Sequence, residues 1–117
     1  MDAEQPIEPT AFLRVLARIH LLPTIEGGRA TPVRGSYRPN HNFFGPDNSE
    51  MAMGFLELAP GDSLAPGDVR EFEIAICVWP RLTPELTPGR EWRLQEGGKV
   101  VGTGTILRLM SGAEGAP

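Results

Sequence analysis

His20 and His41 are the only imidazoles of the chain, and with Asp47 or Asp62 they are the side chains from which a metal site or an acid–base pair would be built. Two histidines in separate strands more often lie at a surface or a core edge, so the arrangement points weakly to catalysis. The paired carboxylates Glu71 and Glu73 share one face of one strand and read as a solvated acidic face. Cationic chemistry is better represented. Arg29, Arg34 and Arg38 fall within ten residues, and Arg14 and Arg18 project from the polar side of the preceding segment. If those two segments pair, several guanidinium groups share a patch suited to phosphates or carboxylates. Equally, Arg29 and Arg38 are placed to brace a turn by donating to backbone carbonyls. The residues alone leave both readings open.

Much else is excluded. Ser36, Ser49, Ser63 and Ser111 lack the G-x-S-x-G setting of a nucleophile elbow. The Gly98-Lys99 pair is followed by Val100, so there is no phosphate loop, which needs Ser or Thr there. A GTPase domain of about 150–200 residues does not fit in this length. The lone Cys77 rules out an internal disulfide and a multi-cysteine metal site, and its apolar surroundings predict a buried, inert thiol. The expectation is a protein that is not an enzyme and that takes no cofactor, metal or nucleotide.

A chain of 117 residues makes one domain with a single core. Its 14 Gly and 12 Pro exceed the usual roughly 7 and 5 per cent, and with 40% hydrophobic residues they indicate many turns between short strands. A net charge of −4 opposes chain-wide attraction to phosphate backbones, although a local basic face is a separate matter. The acidic start and the absence of a long apolar run fit neither a signal peptide nor a membrane span, and predict a cytoplasmic protein.

The elements that must position these groups read as strands. Residues 1–10 and 111–117 have the composition of disordered tails, which leaves residues 11–110 as the domain. From Phe12 to Leu22 the odd positions are all apolar, which suits a strand, but Leu13, Leu16, Ala17 and His20 also fall at helical spacing. Short strands are expected over Thr31 to Tyr37, Asn40 to Phe44 and Met51 to Leu58. Val69 to Trp79 is the clearest strand, with Phe72, Ile74, Ile76 and Val78 on one face. These four should join Val15, Ile19 and Leu94 in the core. Trp92 and Leu94 alternate with polar residues up to Gly97-Gly98, and Val100 to Leu109 closes the set. The tetrapeptide Ala-Pro-Gly-Asp occurs at 59–62 and 65–68 and supplies type II turns. Gly98 and Gly28 are expected at positive φ in primed turns. Gly102 and Gly104 lie on one face, where a bulky neighbour can approach.

Two signatures carry a resemblance. Glu26-Gly27-Gly28-Arg29-Ala30-Thr31-Pro32 runs on to Tyr37-Arg38-Pro39, and Glu96-Gly97-Gly98-Lys99 runs on through Val100-Val101-Gly102-Thr103-Gly104. With the Pro66-Gly67-Asp68 turn between them, they resemble the C-terminal β-barrel domain of the elongation factor Tu family, from about Phe12 to Leu109. The resemblance tips Phe12 to Leu22 to a strand and implies an all-β fold, a six-stranded closed antiparallel Greek-key barrel. It implies a stand-alone copy of that domain: a non-catalytic binding module linked to translation, without GTPase activity, whose partner is tRNA, a translation factor or a ribosomal component. The alternative is a regulatory or immunity-type decoy that mimics elongation factor Tu to bind a protein. In the family, parts of this barrel contact the T-stem backbone of aminoacyl-tRNA. The candidate contact residues here are Arg29, Arg34, Arg38, Asn40, Glu96, Gly97 and Trp79. Asn40 stands where a Gln usually follows Tyr-Arg-Pro, Trp79 replaces a basic residue, and Gly45 to Glu50 replace a Thr-rich loop. Phe43, Phe44 and Trp79 are the aromatics from which at least one exposed contact is expected.

Overall fold

The computed structural model describes residues 11–110, so the tails expected at 1–10 and 111–117 lie outside the described residues. Eight strands follow one another: β1 (Ala11–Leu21), β2 (Ser36–Tyr37), β3 (Asn40–Asn42), β4 (Ala52–Met53), β5 (Leu56–Glu57), β6 (Val69–Val78), β7 (Glu91–Glu96) and β8 (Lys99–Leu109). Single 3-10 turns occupy Thr24–Glu26 and Thr83–Glu85. No helix among the described residues is long and apolar enough to cross a membrane.

The ambiguous first segment is a strand. Its odd positions Val15, Ala17, Ile19 and Leu21 are buried, while Arg14 and Arg18 face solvent. A period of two satisfies this pattern, whereas a helix would spread Val15, Ala17, Ile19 and Leu21 around its circumference. β6 alternates in the same way, and Phe72, Ile74, Ile76 and Val78 enter the core together with Val15, Ile19 and Leu94, as expected.

The sheet is antiparallel throughout, in the order β4-β3-β7-β8-β1-β6, and β2 pairs separately with β5. The expected closed six-stranded barrel is therefore corrected to a curled, open one. Among the described residues, the backbone pairing across this seam is the single Gly54↔Ile76 bridge, just after β4. The cause lies in the 51–58 segment, which the sequence presents as one strand. It divides at Gly54-Phe55, giving two residues to β3 and two to β2, so no ladder runs along the ten residues of β6.

Turn chemistry follows the sequence with one correction. In each Ala-Pro-Gly-Asp turn the Asp N–H donates to the Ala carbonyl at 2.9 Å, and Gly61 and Gly67 have φ of 85° and 93°, as a type II turn requires. In the two glycine pairs, however, Gly27 (φ 97°) and Gly97 (φ 62°) take the positive dihedral, and Gly28 and Gly98 do not. Positive φ at the first central residue alone makes the β7–β8 turn the II′ kind, not I′. Gly28 is required for space: a Cβ there would lie 2.1 Å from the Leu22 carbonyl oxygen. Gly104 serves the close approach expected of it, since a Cβ would stand 2.5 Å from the Trp92 indole.

Candidate binding face

The two signature segments are brought together at one end of the sheet. Leu22 N–H donates to the Val101 carbonyl at 2.9 Å, which ties the end of β1 to β8 just past its turn. Gly28 then lets the chain fold back tightly, and Thr24 Oγ1 donates to the Arg29 carbonyl at 2.5 Å. The Arg29 side chain is held on all sides. Its Nε donates to the Thr31 carbonyl at 3.0 Å and its guanidinium also reaches Thr31 Oγ1 at 3.2 Å. It forms an ion pair with Glu96 and lies 5.2 Å over the Tyr37 ring. Tyr37 completes the triad by donating its hydroxyl to Glu96 Oε2 at 2.5 Å.

The electrostatics agree with this geometry. Burial alone pushes the Glu96 carboxyl up, but the Tyr37 hydroxyl and the Arg29 guanidinium outweigh it and hold the group below its ordinary range. Burial works to lower the Arg29 value, and Glu96 overcomes it and raises it. Tyr37 is raised by burial and then by the Glu96 carboxylate beside it. At neutral pH the unit is Arg⁺–Glu⁻–TyrOH, internally neutral and internally hydrogen-bonded. Of the two readings open for Arg29, the brace is the one its contacts satisfy.

Asn40 joins this end because it pairs with Gln95 in the β3–β7 ladder, next to Glu96. Gln95 is buried and its Nε2 donates to the Gly97 carbonyl at 3.2 Å. Arg38 and Asn40 line a shallow groove of about 410 Å³ with Pro39, Met51, Ala52 and Met53. Arg34 and Arg38 are exposed and form no ion pair with another described residue. Arg38 and Asn40 are the accessible side chains of this groove, and Arg34 lies four residues before Arg38, next to the Val33↔Leu64 bridge.

The remaining candidates fall elsewhere. Arg14 and Arg18 belong to β1, whose neighbours are β6 and β8 and not the segment carrying Arg29 to Arg38. The shared basic patch is absent, and Arg14 is paired with Glu73 at 2.9 Å. Trp79 follows β6 at the end that pairs with Ala11, the far end of the ladder from His20 and Val69. Its carbonyl accepts from the N–H groups of Leu82 and Thr83 at 2.9 and 3.0 Å, and its side chain packs half-buried against the core. Phe43 is buried and Phe44 half-buried, so none of the three aromatics expected to supply an exposed contact does so. Cys77 is half-buried, not enclosed.

Nor do the histidines meet. His20 is half-exposed on β1, whereas His41 is fully buried on β3, its Nδ1 accepting from Trp92 Nε1–H at 2.9 Å and its Nε2 3.1 Å from the Gly54 carbonyl. No group of three His, Cys, Asp or Glu suited to a metal is found among the described residues. Sequence reasoning missed the exposed Phe12 and Phe55, which flank Ala75 on the outer surface. The signal was present as an aromatic at a strand's first outward position and another directly after Gly54.

No protein-family model matches the chain. It is 36% identical over 96 residues to elongation factor Tu 2 of Streptomyces avermitilis, a match covering 82% of this chain and 23% of that protein. The chain thus spans less than a quarter of the length of this curated relative. The chain is therefore an all-β homologue of part of elongation factor Tu.

Proposed function

We propose that the chain is a non-catalytic binding module linked to translation, cytoplasmic in location, and that the face around Arg34, Arg38, Asn40 and Gly97 receives a protein component of the translation apparatus. The observation that carries this reading is the occupation of Arg29. A phosphate backbone is gripped by several unpaired cations, and here Arg29 is spent on Glu96 and Tyr37 while Arg14 is spent on Glu73. Two exposed arginines and Lys99, set beside an amide and the Glu96 carboxylate, suit a protein surface with carboxylates better than an RNA stem. A tRNA ligand is the less favoured member of the same reading.

The second reading is a decoy that occupies something which otherwise docks on elongation factor Tu. It rests on the same homology and uses the same face. Affinity capture with the full chain, analysed in parallel for RNA and protein, tests both. The expected result is a translation factor or ribosomal protein that is retained by the wild-type chain and lost from an Arg34→Glu/Arg38→Glu variant. Recovery of tRNA in a salt-dependent manner would move the assignment to RNA, and recovery of a protein that competes with elongation factor Tu would move it to the decoy. Retention unaffected by the double substitution would contradict the face itself.

A further inference from the structure

We propose that the groove around Arg38 takes an acidic peptide segment, one that presents a carboxylate next to a large apolar side chain. The segment belongs to the protein partner of the proposed function, on which this inference rests. The groove forms where the chain crosses from the β2–β5 pair to the main sheet. Tyr37 pairs with Leu56 on one side of the crossing and Asn40 with Met53 on the other, with Arg38 and Phe55 between them. The Arg38 guanidinium lies 5.4 Å over the Phe55 ring. Stacking uses the flat face of a guanidinium and leaves the N–H donors at its edge free for a planar acceptor.

Charge and the groove's lining select the occupant. Arg38 is the sole ionisable side chain lining the groove, and it forms no ion pair with another described residue. The neighbouring acids are committed elsewhere: Glu50 to Arg81, Glu57 to the Ser36 hydroxyl, and Glu96 to Arg29 and Tyr37. A cation left without a counter-charge, in a chain of net charge −4, is matched by a carboxylate, which it can hold bidentately. Around it the groove of about 410 Å³ is lined by Pro39, Met51 and the exposed Met53. Methionine adapts to varied apolar shapes, so an apolar side chain beside the carboxylate finds a seat. The exposed Asn40 amide offers both a donor and an acceptor to the backbone of the segment. RNA fits this groove poorly. A single cation does not hold a phosphate backbone. The Phe55 face on which a base would stack is covered by Arg38.

Amide NMR titration of the full chain tests the proposal, with a short capped peptide carrying Asp-Leu-Glu in a Gly-Ser frame as the probe. Saturable shifts are expected at Arg38, Asn40 and Met53, with a Kd below about 1 mM. The Asn-Leu-Gln peptide, and the Asp-Leu-Glu peptide against Arg38→Gln or Met53→Ser, should each bind at least about tenfold more weakly. Arg38 and Met53 are exposed, and unchanged spectra away from the groove would show that both variants fold. Absence of saturable shifts, equal binding of the two peptides, or a Met53→Ser chain that binds like the wild type would each overturn the proposal. So would an RNA hairpin that shifts the same amides at lower concentration, or shifts there on concentrating the chain alone. The two readings fail separately: a protein captured by the wild type and lost from Arg34→Glu/Arg38→Glu, with no peptide binding, would keep the face and remove the acidic segment.

Discussion

The indole N–H of Trp92 donates to Nδ1 of His41 at 2.9 Å, deep in the core and between neighbouring strands. This bond assigns the imidazole its tautomer: Nδ1 is the acceptor, so the proton sits on Nε2 and is donated to the Gly54 carbonyl. Gly54 is also the residue that touches β6 at the open seam of the sheet. A buried ring thus links the seam to the strand that carries the β7–β8 turn.

Stability should depend on pH through His41. Burial pulls its folded-state pKa down to about 4 from 6.5, against a smaller opposing effect of the Gly54 carbonyl. Between those values the unfolded chain binds the proton and the folded chain does not, so the stabilisation is fully present above pH 6.5 and is lost as pH falls towards 4. The contribution of this group is about 3 kcal/mol. Urea unfolding at pH 7 and pH 4.5 measures it. A His41→Gln variant should be less stable at pH 7 and show a flatter pH dependence than the wild type.

Ile76 is fully buried and carries the backbone bridge to Gly54 across the open seam. Ile76→Ala should cost about 2–5 kcal/mol, through the lost apolar transfer and the cavity left behind. Equilibrium denaturation checks this, and a loss below about 1 kcal/mol would show that the seam residue is not packed as described.

The glycine pairs should respond unequally. Gly97 carries φ of 62°, so Gly97→Ala should cost about 1–2 kcal/mol from left-handed backbone strain. Gly98 lies in ordinary dihedral space with nothing near its would-be Cβ, and Gly98→Ala should be close to neutral. Gly28→Ala should be the most damaging, because its obstruction is backbone and cannot swing aside. Melting temperatures of the three variants give the order directly.

Nucleotide binding is expected to be absent, since the sequence contains no G-x-x-x-x-G-K-[ST] loop. Isothermal titration with GTP and with GDP should give no saturable heat.

The core was legible in the sequence because strand period is rigid: once Phe72, Ile74, Ile76 and Val78 are placed on one face, the rest follows. Closure was not legible. It depends on how far β4 runs along β6, and the break at Phe55 between β4 and β5 looks like the interior of a strand in one dimension. The candidate face was half legible. Arg29 and Glu96 stand in recognisable segments, but sixty-seven residues separate them, and only the fold shows that they neutralise one another. Trp79 looked like part of the same face because the resemblance aligned it there, while the β1–β6 register carries it to the opposite end. The exposed pair Phe12 and Phe55 was obscured by the strong signal of Phe43 and Phe44, which the Trp92 stack and the Asn42 hydrogen bonds draw inward.

The proposed action on translation runs through the face around Arg34 and Arg38. It is tested most directly by adding the purified chain in molar excess to a reconstituted translation reaction containing elongation factor Tu, and following peptide synthesis. A dose-dependent change in rate is expected, and it should disappear with the Arg34→Glu/Arg38→Glu variant. A rate unchanged at every concentration, or changed equally by wild type and variant, would contradict it.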